Sequence, residues 1–417
     1  MPLDDFQQEK RILLILACVE FTNILDYMIM LPLGPQLMQL FHIPPQSFGH
    51  LVSAYNFSAC LTSLLIAFYI DHFDRKKSLL VVYSGFIVAT LLCSLANQYS
   101  FLLFARICAG ACGGVLEAII FSIVSDLIIE SRRGRATGVI MSAFSLASVL
   151  GIPISIFLAT HFSWRAPFLM TAMLATIIFF WVFKKIPAVN AHLQDPKKSL
   201  AQVQHWHQIK TIFGDRKNLK AFVFILFLML SSFSIIPFIN PYFVANIGID
   251  ETQLGYFYMV GGAISFFTGP WIGRLSDRYG KRKIFTIVAL LAMLPMALIT
   301  HLDIVLTFFK LESFRVYMAL LSMVLFMVIV SGRFAPAMSL VTSSVDPKNR
   351  GSFLSFNAAV DQASCGLATF LAGQIITKNP ATQALMYYDF VGVLAICFSF
   401  ICIILANQQK IYTLSSH

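Results

Sequence analysis

Long apolar runs follow one another along most of the chain and are separated by short polar segments. A helix needs roughly 20 apolar residues to cross the hydrocarbon core of a bilayer, so each run predicts one membrane-spanning helix. Strands are excluded, because an open strand leaves its backbone N–H and C=O groups without partners in lipid. The sequence contains twelve such runs, at about 11–33, 47–70, 78–97, 100–129, 137–160, 166–187, 219–246, 253–273, 283–302, 316–341, 351–377 and 384–408.

One polar segment is much longer than the others and divides the runs into two sets of six. It covers residues 188–218, contains Pro196 and includes several Lys, Gln and His residues. The predicted fold class is an all-α polytopic membrane protein with twelve transmembrane helices in two six-helix bundles. We expect residues 1–187 to form the N-terminal bundle, 188–218 a cytoplasmic linker and 219–417 the C-terminal bundle.

A charged segment recurs in the two halves, each time between two apolar runs. Residues 273–283 read GRLSDRYGKRK and residues 67–77 read AFYIDHFDRKK, so an aspartate and a basic cluster keep their spacing. A second match aligns 133–134, an Arg-Gly pair before the fifth run, with the Arg-Gly pair 350–351 before the eleventh run. These matches indicate an internal duplication, and duplicated helical halves are typical of alternating-access transporters.

The composition fits a chain surrounded by lipid, because 58% of its residues are hydrophobic and only 12% are charged, with a mean hydropathy of +0.77. The net charge of +10 does not indicate nucleic-acid binding, since most Lys and Arg residues occupy short loops. The termini, linker and loops on one side of the predicted membrane hold 24 of the 30 Lys and Arg residues, and the opposite loops hold four. This bias predicts that both termini and the linker are cytoplasmic and that the chain lies in the inner (plasma) membrane.

Neither a metal site nor a cofactor is predicted. All eight cysteines lie in apolar runs, where they are interpreted as small packing residues. His205 and His207 flank Trp206 in the linker, but a metal site would need a further ligand. The sequence motifs of zinc proteases, serine hydrolases and phosphate-binding loops are absent, so we do not expect an enzyme.

At these motifs the chain resembles the major facilitator superfamily and, within it, the twelve-span drug:proton antiporters that act in efflux. Residues 273–283 match the superfamily's Gly-x-x-x-Asp-Arg-x-Gly-Arg/Lys-Arg/Lys pattern almost fully, while Ala67 and Asp74 occupy its two glycine positions in the first-half copy. Segments 103–110 and 138–153 are similar to the family's fourth-span arginine motif and fifth-span antiporter motif, although the latter lacks its full Gly-Pro pair. Residues 25–35 are similar to the acidic first-span motif. The resemblance covers essentially the whole chain and implies the major facilitator fold.

Ionisable residues inside the predicted spans are functional candidates, because a charge at the bilayer centre costs at least about 2.5–3.5 kcal/mol on insertion scales. The first and fourth spans run in opposite directions, so a rise of 1.5 Å per residue gives the relative depths of their residues. From their positions within these spans, Asp26 and Arg106 are expected to share a depth in the outer half of the membrane, and Glu20 and Glu117 a depth near its middle. The candidates are Glu20, Asp26, Arg106, Glu117, Arg333 and Asp361.

The fourth span presents its charges and two glycines on one face, since Arg106, Gly110, Gly113 and Glu117 follow at intervals of four, three and four. We expect this face to line a cavity, with the glycines leaving room beside the charges. The family resemblance also implies that the first and fourth spans line the central cavity.

Proton coupling needs a carboxyl group that gains and loses a proton during transport. Asp26 is expected to stay ionised beside Arg106, and Glu117 is the favoured proton carrier ahead of Glu20. The alternative is that Asp26 and Arg106 form a purely structural pair.

In the second half, Arg333 and Asp361 lie at similar depths in the tenth and eleventh spans and are expected to pair, with a substrate contact as the alternative. Asn240 lies between Pro237 and Pro241 in the seventh span. Prolines free backbone carbonyls that can face a cavity, so this segment predicts either a substrate contact or a plain helix kink.

The charged loops have a different expected role. Asp71 can interact with the first turn of the eleventh span, because a helix N-terminus favours negative charge. The family resemblance implies that such clusters latch the two bundles together in the outward-facing state. The latch residues are Asp71, Arg75 with Asp126, and Asp277 with Arg278 and Lys281.

Taken with the resemblance, the sequence predicts a monomeric secondary transporter that exports a small molecule by proton antiport. An importer that couples a sugar or other nutrient to protons is the first alternative. A membrane-embedded transferase is the alternative from another class. The substrate itself is not readable from the sequence.

Overall fold

The computed structural model describes residues 6–66, 73–187, 189, 214–345 and 350–409, and this part of the chain is almost entirely helical. The first-half helices are α1 (Phe6–Ile29), α2 (Gly34–Leu40), α3 (Pro45–Ile66), α4 (Arg75–Leu95), α5 (Tyr99–Leu127), α6 (Glu130–Leu146), α7 (Ile152–His161) and α8 (Ala166–Lys185). The second-half helices are α9 (Arg216–Phe233), α10 (Ile239–Tyr242), α11 (Glu251–Tyr279), α12 (Lys281–Thr300), α13 (Leu302–Phe308), α14 (Arg315–Leu325), α15 (Phe334–Ser344), α16 (Arg350–Ile375) and α17 (Tyr388–Gln408). Two-residue strands β1 (Thr377–Lys378) and β2 (Leu385–Met386) pair antiparallel between α16 and α17.

Each of the twelve predicted runs coincides with a long helix or with a pair of helices in line. Among the described residues, nine helical stretches are long and apolar enough to cross a membrane. The other three runs correspond to α3, α11 and α16, which have 22, 29 and 26 residues. At 1.5 Å per residue even the shortest of these spans about 33 Å, enough for the hydrocarbon core. The predicted all-helical, twelve-span fold is confirmed.

Helical breaks occur in the fifth, seventh and tenth spans, and each has a local cause or a local consequence. A π-helical turn, Ala147–Gly151, joins α6 to α7 just before Pro153. In the seventh span α9 ends before Pro237, and a 3₁₀ turn leads into α10. In the tenth span a second π-helical turn, Phe326–Val330, precedes α15. Such breaks are frequent at functional sites because they free or redirect backbone groups.

The chain forms two compact units. The first contains α1, the part of α3 from Ala54 onward, and α4 to α8; the second contains residues 31–53 and all helices from α9 onward. The segment 31–53 therefore clusters with the second unit, although the sequence-based division placed it in the N-terminal bundle. The sequence boundary between the units falls in the linker at 190–213, outside the described residues.

The hydrophobic cores of the two units are built from corresponding spans. In the first unit the core comes from α1, α4, α5, α6 and α8, that is, spans one, three, four, five and six. In the second it comes from α9, α12, α15, α16 and α17, that is, spans seven, nine, ten, eleven and twelve. The same five positions of each six-span set are used, which agrees with an internal duplication. Representative core residues are Leu16, Phe86 and Leu116 in the first unit and Phe224, Phe285 and Leu340 in the second.

The charged segment 273–283 is more helical than the sequence suggested. Helix α11 continues through it to Tyr279, and α12 begins at Lys281. Gly280 alone separates the helices, with a φ of 97° that side chains other than glycine rarely adopt. The expectation of a loop between residues 273 and 283 was wrong because its Arg, Leu and Ser residues tolerate a helix and a single glycine is enough to turn the chain.

Candidate functional site

The first candidate site is a buried ion pair between α1 and α5. Arg106 Nη1 lies 2.8 Å from Asp26 Oδ2, and both side chains are 0% exposed. The same nitrogen donates to the Asp26 carbonyl oxygen at 3.2 Å, and Thr90 Oγ1 donates to Asp26 Oδ1 at 3.1 Å. The guanidinium carbon lies 4.4 Å from the ring centroid of Tyr55. The structure thus brings together the two residues that depth alone had placed side by side.

The second candidate site is a pair of carboxyl groups on the same two helices, and it forms a second layer because Glu20 lies six residues before Asp26, about 9 Å along α1. Glu20 on α1 and Glu117 on α5 interact electrostatically, and the Asn23 side chain contacts Glu20. Glu20 is only 6% exposed, and its Oε2 has no hydrogen-bond partner among the described residues. A buried carboxylate oxygen without a partner is costly when charged, and a proton removes that cost. The site is therefore suited to taking up and releasing a proton.

Tyr55 and Asn23 connect the two sites. The Tyr55 hydroxyl donates to Asn23 Oδ1 at 3.2 Å, and Asn23 Nδ2 donates to the Gly113 carbonyl oxygen at 3.4 Å. Because Tyr55 also stacks on Arg106, it joins the ion pair to Asn23, the residue one helical turn from Glu20. Sequence reasoning missed these residues, although Asn23 lies one helical turn from both Glu20 and Asp26 and is polar in an apolar run. That spacing was the available signal.

The glycine face of α5 does not line an open cavity, and this expectation is corrected. A Cβ atom on Gly110 would lie 2.2 Å from the Tyr55 carbonyl oxygen, and one on Gly113 would lie 2.4 Å from the Tyr55 hydroxyl. The glycines instead allow the backbone of α3 to approach α5 closely, as small residues do at helix contacts in membranes.

Arg333 does not pair with Asp361, and this expectation is also corrected. Arg333 is 0% exposed, and its Nη1 donates to Ser399 Oγ at 3.1 Å. Its Nη2 donates to Ser231 Oγ at 2.8 Å and to Ser232 Oγ at 2.5 Å. These serines lie on α9 and α17, whereas Asp361 is half-buried on α16. Equal depth was a poor guide because it does not say toward which neighbouring helix a side chain points.

Asn240 is fully buried at the break in the seventh span. Its Nδ2 donates to the Tyr258 hydroxyl at 2.8 Å and to the Leu31 carbonyl oxygen at 3.3 Å. Its Oδ1 has no hydrogen-bond partner among the described residues. The position remains a candidate for substrate contact and is already part of a polar cluster in the second unit.

The expected latch residues are placed as follows. Arg75 Nε lies 3.3 Å from Asp126 Oδ2, so the basic cluster of the first half is joined to the end of α5. Asp277 and Arg278 are exposed in the last turn of α11, and Lys281 Nζ donates to Ser343 Oγ at the end of α15. Asp71 lies outside the described residues, as does the linker triplet 205–207.

The comparisons with known proteins agree with this architecture. The family model of the Major Facilitator Superfamily matches residues 16–369 and again 222–410. The chain belongs to the major facilitator superfamily of membrane transporters. The second match begins at the start of the second half, where the duplicated unit was predicted to begin.

Two relatives and one solved structure illustrate the range of the similarity. The chain is 24% identical over 349 residues to the uncharacterized MFS-type transporter YceJ of Bacillus subtilis, covering 84% of this chain and 85% of that protein. It is 26% identical over 259 residues to the purine ribonucleoside efflux pump NepI of Shigella dysenteriae, covering 60% and 62%. The crystal structure of a D-xylose–proton symporter superposes with a TM-score of 0.75 at 13% identity, covering 96% and 97%. This last likeness bears on the fold alone.

Proposed function

We propose that the protein exports a small molecule from the cytoplasm in exchange for protons, by alternating access of one central site to the two sides of the membrane. The observation that carries the proposal is the two-layer arrangement in the first unit. Asp26 and Arg106 neutralise each other at 2.8 Å, and Glu20 and Glu117 form a second layer of interacting charges on the same two helices.

The two layers have different proposed roles in coupling transport to protons. The Asp26 carboxylate accepts one hydrogen bond from the Arg106 cation and one from Thr90, which favour its charged form and make it a fixed group. Glu20 and Glu117 repel each other when both are charged, so one proton shared between them stabilises the pair. A group that gains a proton on one side of the membrane and loses it on the other can drive transport. Glu117 is proposed as the carrier and Glu20 as its electrostatic partner.

Export is the proposed direction for two reasons. Segment 138–153 is similar to the antiporter motif of the fifth span. Relatives include a protein named as a purine ribonucleoside efflux pump. Both termini are proposed to lie in the cytoplasm. During export, protons would then flow down their gradient across the inner membrane into the cytoplasm as the substrate leaves it. The protein is proposed to act as a monomer.

The test needs a transported compound, which a resistance screen can supply. Growth of a strain that overexpresses the protein and of a strain that lacks it is compared across a panel of toxic compounds. A compound that the first strain tolerates better and the second strain tolerates worse than the parent is then prepared in labelled form. Inverted membrane vesicles energised to an acidic lumen are then expected to accumulate the label, and a protonophore should abolish accumulation. Accumulation that persists without a proton gradient contradicts antiport. If preloaded vesicles instead lose the labelled compound together with protons from the lumen, the protein is a proton-coupled importer.

A further inference from the structure

Arg333 is a fully buried cation whose described partners are all neutral. Its two terminal nitrogens donate to three serine hydroxyls, and its Nε has no hydrogen-bond partner among the described residues. No carboxylate of the described chain lies within ion-pair distance of it. A buried charge of this kind is unfavourable unless an opposite charge accompanies it.

In the first half of the chain, a buried arginine is neutralised by a carboxylate. There the buried arginine of the fourth span, Arg106, pairs with Asp26 of the first span at 2.8 Å. In the second half Arg333 of the tenth span bonds to Ser232 of the seventh span. The buried arginine of the second half is therefore bonded to hydroxyl groups, whereas that of the first half is bonded to a carboxylate.

The serines orient the guanidinium without neutralising it. Ser231 and Ser232 direct their own hydroxyl protons to the Leu228 carbonyl oxygen at 2.8 and 3.0 Å, so they accept from Arg333. Ser399 accepts from Arg333 and has no acceptor for its own proton among the described residues. The unpartnered Nε–H and the Ser399 hydroxyl are therefore donors that remain available to an anion.

The position of the cluster suits a transported ligand. Ser231 and Ser232 lie in the last turns of α9, directly before the break in the seventh span. Arg333 occupies the turn between the π-helical segment Phe326–Val330 and α15. In transporters with duplicated halves, broken helices near the middle of the membrane form substrate and ion sites.

We propose that Arg333, oriented by Ser231, Ser232 and Ser399, binds a monovalent anion, either the carboxylate of the transported molecule or chloride. The inference rests on the proposed transport function for its first form, in which the substrate class is an organic acid. Arginine suits this role because its planar fork matches a carboxylate and its charge persists at all physiological pH values.

The test is ligand-dependent stabilisation of the purified full-length protein in detergent. Unfolding temperature is measured in a zwitterionic buffer of low ionic strength, to which sodium chloride, sodium acetate or sodium benzoate is added at equal concentrations. Acetamide and benzamide serve as neutral counterparts of the two carboxylates. A ligand that binds only the folded state raises the unfolding temperature in proportion to its occupancy, so apparent affinities follow from titrations.

The variants are Arg333→Gln, Arg333→Lys and Ser399→Ala, with Arg315→Gln at the start of α14 as the matched control. We expect carboxylates or chloride, but not the amides, to stabilise the wild type and Arg315→Gln. Arg333→Gln should weaken the anion response at least about tenfold, and Ser399→Ala should weaken it less. If Arg333→Gln does not fold, Arg333→Lys and Ser399→Ala carry the comparison.

The outcomes separate cleanly. Stabilisation by carboxylates but not by chloride assigns the site to the substrate, and stabilisation by chloride assigns it to an inorganic anion. An anion response that is absent from the wild type, or unchanged in every Arg333 and Ser399 variant, overturns the proposal. Because this binding needs no proton gradient, a failure of proton-coupled export leaves the result intact, and the reverse also holds.

Discussion

At the scale of single residues, the position of a residue along its span predicted some side-chain contacts and missed others. The positions of residues along two antiparallel spans predicted that Asp26 lies beside Arg106, and their side chains are 2.8 Å apart in the structure. The expected proximity of Glu20 and Glu117 agrees with the electrostatic interaction between their carboxyl groups. The same reasoning failed for Arg333, because depth does not fix the rotation of a helix about its own axis. Tyr55, which links both layers, was not predictable for this reason: nothing in the sequence says which face of α3 meets α5.

Asp26 and Arg106 should behave as a unit in a double-mutant cycle. Asp26→Asn leaves a buried guanidinium without its counter-charge, and breaking a buried pair typically costs about 3–5 kcal/mol. Arg106→Ala leaves the carboxyl group free to neutralise itself by taking up a proton. The double variant should therefore lose less free energy of unfolding than the two single losses added, by about 0.5–3 kcal/mol.

The control for this cycle combines Asp26→Asn with Arg165→Ala. Arg165 bonds to the Ala96 carbonyl oxygen and to Asn97, well away from the pair in sequence and contacts. These two changes should add within about 0.5 kcal/mol. Equal coupling in both cycles would show that the Asp26–Arg106 contact has no special energy.

At the scale of helices, the number and type of elements followed from the apolar runs, because a single apolar segment can pair all its own backbone groups in lipid only as a helix. The interruptions were harder to foresee. Pro237 signalled the break in the seventh span, whereas no proline precedes the π-helical turn Phe326–Val330 in the tenth. That turn depends on how packed neighbours accommodate the helix, which is information outside the local sequence.

Close packing of α3 against α5 should make Gly110 intolerant of even one methyl group. In Gly110→Ala the new Cβ would meet the Tyr55 backbone at 2.2 Å, so the helices must separate. Overpacking of this kind costs about 1–3 kcal/mol. The unfolding temperature in detergent should fall, and transport should fall with it because Tyr55 contacts both Arg106 and Asn23.

Gly138→Ala is the matched control on α6, since a Cβ there would meet no atom within 4 Å. It should leave the unfolding temperature nearly unchanged. Equal destabilisation in the two variants would argue against a tight α3–α5 contact.

At the scale of the whole molecule, the duplication is visible in sequence, in family match and in packing. The segments 67–77 and 273–283, the repeated family match and the use of equivalent spans in both cores all agree. What the sequence could not give is the chemical divergence of the halves. A carboxylate accompanies Arg106 in the first unit and hydroxyl groups accompany Arg333 in the second, and only the contacts distinguish these cases.

The latch remains a prediction at this scale, and Asp277 is its most accessible test. Asp277 is exposed in the last turn of α11, so Asp277→Asn should not disturb the fold. The expected partner of Asp277 is the first turn of the fifth span, because an anion at a helix N-terminus contributes about 0.3–1 kcal/mol when exposed. An energy of this size is enough to shift a balanced conformational equilibrium by a few-fold. We expect lower turnover at normal expression and more inward-facing protein by cysteine accessibility.

Asp215→Asn is a suitable comparison, because it also removes one negative charge while asparagine still caps the start of α9. Transport and accessibility should match the wild type. Unchanged turnover and accessibility in Asp277→Asn would reject the latch.

The central claim, proton exchange through the acid pair, is tested most directly in inverted vesicles with an acidic lumen and a pH-sensitive dye. Adding the screened substrate outside wild-type vesicles should release lumenal protons as the substrate enters. Glu117→Gln should bind the substrate but release no protons, because the amide mimics a permanently protonated acid, and Glu20→Gln should retain partial release. Substrate entry without proton release in the wild type, or full release in Glu117→Gln, would contradict the account.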